Sequence, residues 1–583
     1  MGKTDKIQNR FRINGGLSAR KIREYLPAMI VTNLSTLLLV SVDGMVVGNF
    51  IGSDALSSVN VFSPVVSFIG AITCLVALGI ATCLSTSIGR NDHDGIRHAK
   101  ATAKFIMIAS SIFVAIIQIP LVYAFISSYH LSDEMNRMTW QYAIGIMISH
   151  PFGVISTIGV YELQIFGKMK ALAKLAVMEG IINLVLDLLF VGLLKFGVAG
   201  AGYGTAGANV VRCTVTVIYL AKQTDIYKTG GLKPRMREVK EILTLGLPDF
   251  AYSALSAIQS YLMMKLLLEV FGSDGGTIKG VCTFCFSLAS VLISGILGSI
   301  RPIVGLMSGG KDTEGLRILI RQGTLALTCS TVAIVTMIMF FPSLFYTWHG
   351  VKEIPEGGIA SLRIYSVFFI IEAVNALFRM YFANRKDTKF ATALSVIGNV
   401  SLPIIAYLLS LGFPAPYVWA SYLIKEVIIF AFCITRYLRW VKNDKATSTE
   451  KKGILYLSVK PSEAAKASNM VRHYYADEIG CPPRLSYRVG WCLEEMVAYS
   501  ADAKDNQEIQ NQIVINMTPT EAIFTMLDTG RCIALNEDHD QQLRTTNNYE
   551  IIRRMSSSVD YQYILNLNYT VLHFNLQDLK HAK

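Results

Sequence analysis

Residues Met178–Gly192 read MEGIINLVLDLLFVG and lie inside an apolar run of roughly residues 171–194. A helix of about 20 residues crosses a bilayer, so this run is long enough to span one. It nevertheless carries Glu179, Asn183 and Asp187 at spacings of four, which align their side chains in one polar stripe on a helix. Ionisable groups at membrane depth cost several kcal/mol unless they face protein or water. The stripe therefore predicts an ion or substrate path, with hydrogen-bonded contact between helices as the alternative.

The composition of the whole chain is that of a polytopic helical membrane protein. Its 583 residues are 52% hydrophobic and 16% charged, whereas ordinary soluble proteins are about 25% charged. Charged residues are concentrated in short loops and after residue 440. The location of the net charge of +12 in basic loops explains it, so nucleic acid is not predicted as a partner. Twelve spanning helices are predicted, over residues 25–49, 57–88, 101–128, 139–164, 169–195, 199–222, 243–271, 279–307, 318–347, 361–383, 388–411 and 416–439.

Lys and Arg distinguish the two sides of the predicted membrane part. They are frequent in every second loop, such as residues 90–104 and 311–321, and rare in the loops between. Positively charged loops stay on the cytoplasmic side. We therefore predict a multi-pass protein of the plasma (inner) membrane with both termini in the cytoplasm, which is consistent with an even number of helices.

Two of these basic loops are similar in sequence. Residues 89–97 read GRNDHDGIR and residues 309–317 read GGKDTEGLR, so Asp92 aligns with Asp312, 220 positions later. Such a repeat predicts two six-helix lobes that are related by an axis along the membrane normal and rock around a central site. The predicted boundaries are an arm at 1–24, lobes at 25–222 and 243–440, linkers at 223–242 and 441–452, and a soluble domain at 453–583.

The acidic residues of the first lobe lack acidic counterparts in the second. Asp43 aligns near Met264, and Asp187 aligns near Pro403. A purely structural role would be expected in both lobes, so the asymmetry favours chemistry in the first.

Counting residues from the predicted helix ends places four polar residues at a similar depth in the outer half of the first lobe: Asp43, Asn183, Asp187 and Thr205. Two carboxylates with an amide and a hydroxyl suit either of two ions. They offer Na⁺ its preferred oxygen ligands, or they share one proton.

The membrane part, about three quarters of the chain, resembles the multidrug and toxic compound extrusion (MATE) family of secondary antiporters. Residues 42–52, with Val42-Asp43-Gly44 and Phe50-Ile-Gly, resemble the first helix and loop of that family. Residues 183–187 (NLVLD) and 197–202 (GVAGAG) are similar to its fifth and sixth helices. The resemblance implies a first-lobe site for Na⁺ or H⁺ made by Asp43, Asn183, Asp187 and Thr205.

Further polar residues are candidates for a cavity. Glu372, Asn375 and Arg379 fall on one face of the tenth helix, which suits either an internal ion pair or part of a substrate cavity. Glu179 and Asn209 are candidates in the first lobe. The nine histidines show no ligand-like spacing, so no metal site other than the one for Na⁺ is predicted.

The segment after Gly453 has soluble α/β character. Strands are predicted at 454–459, 513–517, 522–527 and 563–571, and helices at 461–478, 485–503 and 548–556. This order resembles the ATP-binding fold of histidine kinases and anti-sigma factors.

Single positions in this segment resemble the nucleotide-binding motifs of that fold. The pair Glu494-Glu495 resembles its acidic helix motif, and Asp528-x-Gly530 resembles its adenine-binding motif. Tyr499, Cys532 and a turn without glycine at 546–549 depart from the fold, which argues against kinase or ATPase turnover. We interpret the domain as degenerate and regulatory, with ATP binding at Glu495, Asp528 and Gly530 as the alternative.

The leading hypothesis is a secondary antiporter, not an enzyme, that exports amphipathic cationic organic compounds in exchange for Na⁺ or H⁺ and needs no cofactor. A flippase for a lipid-linked or amphipathic metabolite is the second hypothesis, and a cavity lined by Arg and Lys would favour it. The third is a membrane sensor that signals through its tail. The expected partners are small organic substrates, membrane lipid and a cytoplasmic protein bound by the tail, and the chain is expected to be a monomer.

Overall fold

The computed structural model contains a helical membrane part and a C-terminal domain built on a sheet. It describes residues 11, 15–128, 132–222, 232–272, 274–349, 351, 353–450, 453–502, 511–518, 520–530 and 547–575. Within these ranges, the side chains of residues 40–43, 53, 54, 56, 57, 60, 61, 63, 444–450, 501, 502 and 547–549 lie outside the description. The side chain of Asp43 is therefore outside it, as are Cys532, residues 223–231 of the first predicted linker and most side chains of the second, 441–452.

In the part of the chain that the structure describes, six long helices precede residue 223, and we call them the N-terminal set. They begin and end close to the predicted spans, but several extend further. The first, for example, begins at Gly16 instead of residue 25, because hydropathy marks only the apolar part of a helix that continues beyond the membrane. The set consists of α1 (Gly16–Phe50), α2 (Ser53–Gly89), α3 (His93–Ser128), α4 (Asp133–Ile165), α5 (Met169–Asp187) and α6 (Val198–Lys222).

The helices from residue 236 to residue 450 form the C-terminal set. The predicted span 318–347 is divided, because Pro342 ends the preceding helix and begins a new one. The set consists of α7 (Met236–Phe271), α8 (Asp274–Gly309), α9 (Thr313–Phe340), α10 (Pro342–Trp348), α11 (Gly358–Ser366), α12 (Phe368–Asn384), α13 (Thr388–Gly412) and α14 (Ala420–Glu450).

Eleven helical segments of the described chain are long and apolar enough to cross a membrane. The predicted sixth span, α6, is a 25-residue helix but is not among the eleven. Its small residues lower its hydropathy and let it approach α4 closely. A Cβ on Gly202 would lie 2.7 Å from the Tyr142 carbonyl oxygen, for example.

The repeated loops share one backbone conformation. Asn91 and Lys311 both adopt φ 56°. Asp92 Oδ1 accepts a hydrogen bond from Gly95 N at 2.8 Å, and Asp312 Oδ1 accepts one from Gly315 N at 2.9 Å. Each aspartate thus caps the helix that follows it. The sequence repeat therefore corresponds to a repeat of local structure.

The two sets meet where α2 packs along α7 and α1 packs along α8. The close approaches lie at the end of the helix bundle that contains the last residues of α2 and α8, near residues 89 and 309. We call this end the tail side. Here a Cβ on Gly79 would clash with the Ile242 carbonyl oxygen, and a Cβ on Gly89 would clash with that of Leu306. Backbone thus packs on backbone, which closes the tail side.

The C-terminal domain, which we call the tail domain, has a five-stranded antiparallel sheet of order β1-β2-β3-β5-β4. Its helices α15 (Ala464–His473) and α16 (Pro483–Asp502) pack on each other, and α17 (Asn547–Met555) packs on α16. The strands are β1 (Ile454–Leu457), β2 (Asn511–Met517), β3 (Glu521–Asp528), β4 (Ser558–Ile564) and β5 (Leu567–Asn575).

The prediction of one strand over 563–571 is wrong. The chain turns back at Leu565 and Asn566, which have φ 57° and 55°, so the segment belongs to a hairpin of β4 and β5. A two-residue turn with both φ values positive matches the twist of a hairpin, but leucine is unusual there. The continuous apolar pattern concealed it.

Gly79→Ala tests the close contact between α2 and α7. The added methyl group must push Ile242 away, and overpacking of this kind costs about 1–3 kcal/mol. We expect a lower melting temperature of the purified protein in detergent. Gly70→Ala on the same helix is the control, because a Cβ there meets nothing within 4 Å and alanine favours a helix. Equal melting temperatures for the two variants would contradict the close contact.

Candidate functional site

The polar stripe of the fifth predicted span is buried in the structure. Asn183 and Asp187 both have 0% exposure on α5. Asp187 is the last residue of the regular α-helix, and Leu188–Leu193 continue as a π-helix. Single π turns within α-helices are frequent at functional sites. The sequence analysis did not predict this turn, because its apolar residues carry no signal for it.

Helix α6 supplies the opposite side of this site. Asn183 Nδ2 donates to Thr205 Oγ1 at 3.4 Å, and Thr205 Oγ1 donates to the Ala201 carbonyl at 3.1 Å. Gly204 makes room for the carboxylate, since a Cβ there would clash with Asp187 Oδ1. The structure thus brings together Asn183, Asp187 and Thr205, as predicted. Asp43 lies on α1, which packs on α5, but its side chain is outside the described part.

The oxygens at this site suit a cation. Within the described residues, the buried Asn183 Oδ1 has no hydrogen-bond partner, although most buried polar atoms have one. A carboxylate, an amide oxygen and a hydroxyl are hard oxygen donors, the type that hard cations prefer. The same carboxylate also serves as a proton acceptor, so the geometry fits both ions.

Asn209 supports the site from one turn further along α6. Its Nδ2 donates to the Thr205 carbonyl at 3.2 Å and to Ser149 Oγ at 3.1 Å. It therefore ties α6 to α4 and does not reach Asp187 in these contacts.

Glu179 belongs to a different arrangement. Its carboxylate forms an ion pair with Arg212 of α6 at 2.9 Å, and both side chains are largely buried. Because the pair is neutral, Glu179 is a weaker cation ligand than Asp187, and here the interhelical alternative applies. The sequence analysis overlooked Arg212, although an arginine inside a predicted span was an available signal.

The C-terminal set contains a second polar cluster. Arg379 NH2 lies 2.7 Å from Glu372 Oε1, and Tyr252 Oη donates to the same oxygen at 3.0 Å. The Arg379 guanidinium also lies 4.4 Å from the centre of the Tyr252 ring. The face predicted on the tenth helix thus contains an internal ion pair.

Asn375, from the same predicted face, forms a hydrogen bond with a different carboxylate. Its Nδ2 donates to Glu426 Oε2 at 2.7 Å, and Glu426 Oε1 lies 2.6 Å from Lys425 Nζ. Glu426 has 0% exposure, so this is a buried pair between neighbours on α14, bridged to α12.

A cavity of about 280 Å³ adjoins the first pair. Its lining includes Glu372, Arg379, Asp249 and Arg301, two carboxylates and two guanidinium groups. Glu372 and Arg379 therefore combine both roles that the sequence left open, ion pair and cavity wall. Asp249 and Arg301 were not predicted, because they lie on other helices at spacings that show no pattern.

The predicted nucleotide residues lie at the end of β3. Asp528 is fully buried, and its Oδ1 accepts hydrogen bonds from Gly530 N and Asn568 Nδ2, both at 2.7 Å. A Cβ on Gly530 would lie 3.4 Å from Ser500 Oγ, so α16 passes close by.

The acidic pair of the tail lies on α16. Glu494 forms an ion pair with Arg472 at 3.6 Å. Burial, followed by the charge of Glu494, raises the pKa of Glu495. Tyr499, at the position where the resembling fold has its Mg²⁺ ligand, is buried. These contacts stabilise the fold of the tail domain.

Comparison with known proteins finds a family model and several relatives that match the membrane part. The MatE family model matches residues 28–189. The multidrug export protein MepA of Staphylococcus aureus is 21% identical over 432 residues, which cover 71% of this chain and 92% of MepA. The probable multidrug resistance protein NorM of Halalkalibacterium halodurans is 25% identical over 366 residues, 60% of this chain and 76% of NorM.

A solved structure has the same architecture. The structure described as the outward-facing conformation of a multidrug resistance MATE family transporter aligns with a TM-score of 0.68 at 20% identity, over 73% of this chain and 97% of its own. The membrane part has the fold of a MATE transporter.

The MATE resemblance predicted from residues 42–52, 183–187 and 197–202 is thereby confirmed for the membrane part. The relatives are transporters, so the expectation of a transporter instead of an enzyme is also confirmed.

Arg379→Leu tests the buried ion pair. The change leaves the Glu372 carboxylate buried without its partner, which costs about 3–5 kcal/mol, and we expect a strongly reduced melting temperature in detergent. Arg436→Leu is the matched control, because Arg436 and Asp387 form a pair at a similar distance, 2.9 Å, that is partly exposed, and exposed pairs contribute about 0–1 kcal/mol. A larger loss in the control would refute this assignment.

Proposed function

We propose that this chain is a secondary antiporter that exports amphipathic cationic organic compounds in exchange for Na⁺ or H⁺. The observation that carries the proposal is the buried cluster of Asn183, Asp187 and Thr205 on facing helices, with an amide oxygen left over for a ligand. The names of the multidrug relatives support the substrate class.

In this proposal, the two helix sets are lobes of six spanning helices each. Helix α6 also crosses the membrane, which raises the number of spans from eleven to twelve. The tail side is cytoplasmic, as the basic loops indicate. The chain is a monomer in the plasma membrane, and the tail domain is a degenerate regulatory domain whose binding of ATP or of a protein partner remains an alternative.

The coupling step follows from the cost of a buried charge. Without a bound cation or proton, Asp187 is a charged carboxylate at membrane depth. Neutralisation by either one stabilises it. Asp187 is at the junction of the α-helix and the π turn, so its occupancy acts on the end of α5 and on α1, which packs there. An ion gradient thereby biases one conformation over the other.

The cavity of the C-terminal set is a candidate for substrate contact. Its Asp249 carboxylate attracts an organic cation, and the aromatic Tyr252 and Phe286 offer it a ring face. The cavity also contains Arg301 and Arg379, the residue type that would favour the flippase alternative. Because the charges are balanced, that alternative gains no advantage from the cavity. The sensor alternative requires that transport be absent.

Asp187→Asn tests the ion site directly. We expect uptake of a fluorescent organic cation into inverted vesicles, driven by an imposed Na⁺ or pH gradient, to fall to the level of vesicles without the protein, because the amide neither titrates nor carries charge. Glu134→Gln, an exposed carboxylate, is the control and should transport normally. Unchanged uptake in the Asp187 variant would exclude this site.

Thr205→Val distinguishes the two ions. The substitution keeps the shape and removes the hydroxyl. If Na⁺ is bound, we expect the Na⁺ concentration for half-maximal uptake to rise about fivefold, the equivalent of one oxygen contact of about 1 kcal/mol. Thr214→Val is the control, since its exposed hydroxyl donates to the Val210 carbonyl of its own helix. Unchanged Na⁺ dependence in both variants would favour H⁺.

A further inference from the structure

We propose that the sheet of the tail domain is a clamp that holds the N-terminal and C-terminal sets together on the tail side. To open that side, the sheet must leave one of the two sets. The proposal rests on the proposed function only in that it assigns the clamp to the regulation of the same transport cycle.

The sheet has two apolar faces with different covers. Ile513, Phe524 and Leu572 face the helices of the tail domain and belong to its core. Leu527, Tyr569 and Val571 face the other way and belong to the core of the membrane part. An apolar sheet face needs a cover, and here the membrane part provides it. The tail domain is thus docked through its sheet.

The hairpin of β4 and β5 holds the N-terminal set through its turn. Leu565 is buried at this turn, and its carbonyl accepts a hydrogen bond from Tyr25 Oη of α1. Lys21 Nζ donates to the Asn566 carbonyl at 3.0 Å. Gly167, between α4 and α5, admits the turn, since a Cβ there would lie 2.7 Å from Leu565 Cα.

The same hairpin holds the first copy of the repeated loop. Gln562 Nε2 donates to Asn91 Oδ1 at 2.6 Å. Tyr569 Oη donates to the Gly89 carbonyl at 2.7 Å. Both contacts are on the loop that joins α2 to α3.

The opposite edge of the sheet holds the second copy of the loop. Gln512 of β2 donates through Nε2 to Asp312 Oδ2, and Tyr456 Oη of β1 lies 2.8 Å from Thr313 Oγ1. The two copies are therefore bound by opposite halves of one sheet. Tyr569 lies at the seam, because a Cβ on Gly310 would be 3.1 Å from its hydroxyl.

The N-terminal arm strengthens this connection. The Phe11 carbonyl accepts a hydrogen bond from Ser458 N at 2.8 Å, and the Phe11 side chain is buried in the core of the tail domain. The Gly15 carbonyl then accepts one from Gln322 Nε2 of α9 at 3.0 Å. The chain thus links the tail domain, the C-terminal set and α1 before the first span begins.

Rocking of the two sets would separate the loop at 89–97 from the loop at 309–317. The sheet between them has continuous hydrogen-bonded ladders from β1 to β4 and does not stretch. One set of docking contacts must therefore break in every opening event. Weakening these contacts shifts the equilibrium towards a tail side that is open.

The test measures access to the closed seam in the purified full-length chain in lipid nanodiscs. Ser85 is buried at this seam, where a Cβ on Gly305 of the other set would clash with its hydroxyl. Ser85→Cys, in a background with Cys74→Ser and Cys83→Ser, is labelled with a membrane-impermeant maleimide, and mass spectrometry gives the labelling rate of the peptide that contains residue 85.

We expect Gln562→Ala and Asn91→Gly each to raise the labelling rate about fivefold, the equivalent of one lost hydrogen bond of about 1 kcal/mol. Glycine at position 91 keeps the positive φ of that residue without strain. The double variant should be no faster than either single one, because both remove the same bond.

Arg554→Ala is the control, since Arg554 is 81% exposed on the tail domain and pairs only with Glu550 in the contacts described. Labelling at the parent rate in both Gln562→Ala and Asn91→Gly would overturn the clamp, as would an equal acceleration in Arg554→Ala. The assay needs no gradient and no substrate. The labelling rates can therefore be interpreted even if the antiporter proposal fails. If the clamp proposal fails, the transport assays are unaffected.

Discussion

The contact of backbone with backbone on the tail side is the constraint on which the rest of the structure depends. Glycines such as Gly79 and Gly89 let helices of the two sets approach without intervening side chains. Close packing of this kind resists gradual deformation, because packed interfaces shift between discrete arrangements. It also creates a continuous surface on which the sheet of the tail domain lies.

The buried charged residues of the two helix sets form two kinds of arrangement, neutral ion pairs and a cluster of oxygen atoms. Glu179 with Arg212, and Glu372 with Arg379, are neutral pairs that fix neighbouring helices. The site at Asn183, Asp187 and Thr205 instead gathers oxygen atoms, the ligand type that hard cations prefer. The resulting account assigns ion binding to the N-terminal set, the charged cavity to the C-terminal set, and control of their separation to the tail domain.

The spacing of polar residues predicted the polar stripe, internal sequence similarity predicted the repeated loops, and apolar runs together with the family resemblance predicted the membrane fold. Features that depend on contacts between distant residues were not predictable. Arg212 is one such case, and the cavity residues Asp249 and Arg301 are another. The hairpin turn at Leu565 was missed because leucine gives no turn signal and because its side chain is buried in the core of the membrane part, far away in sequence.

The most direct test of the account is a distance measurement between spin labels at Arg90 and Lys389, exposed on the tail side of the two sets. The account predicts that adding Na⁺, or changing pH, shifts the distance distribution in the otherwise native chain. In Asp187→Asn the distribution should stay fixed. A distribution that ignores both ions, or a shift that persists without the Asp187 carboxylate, would contradict the claim that this site controls the tail side.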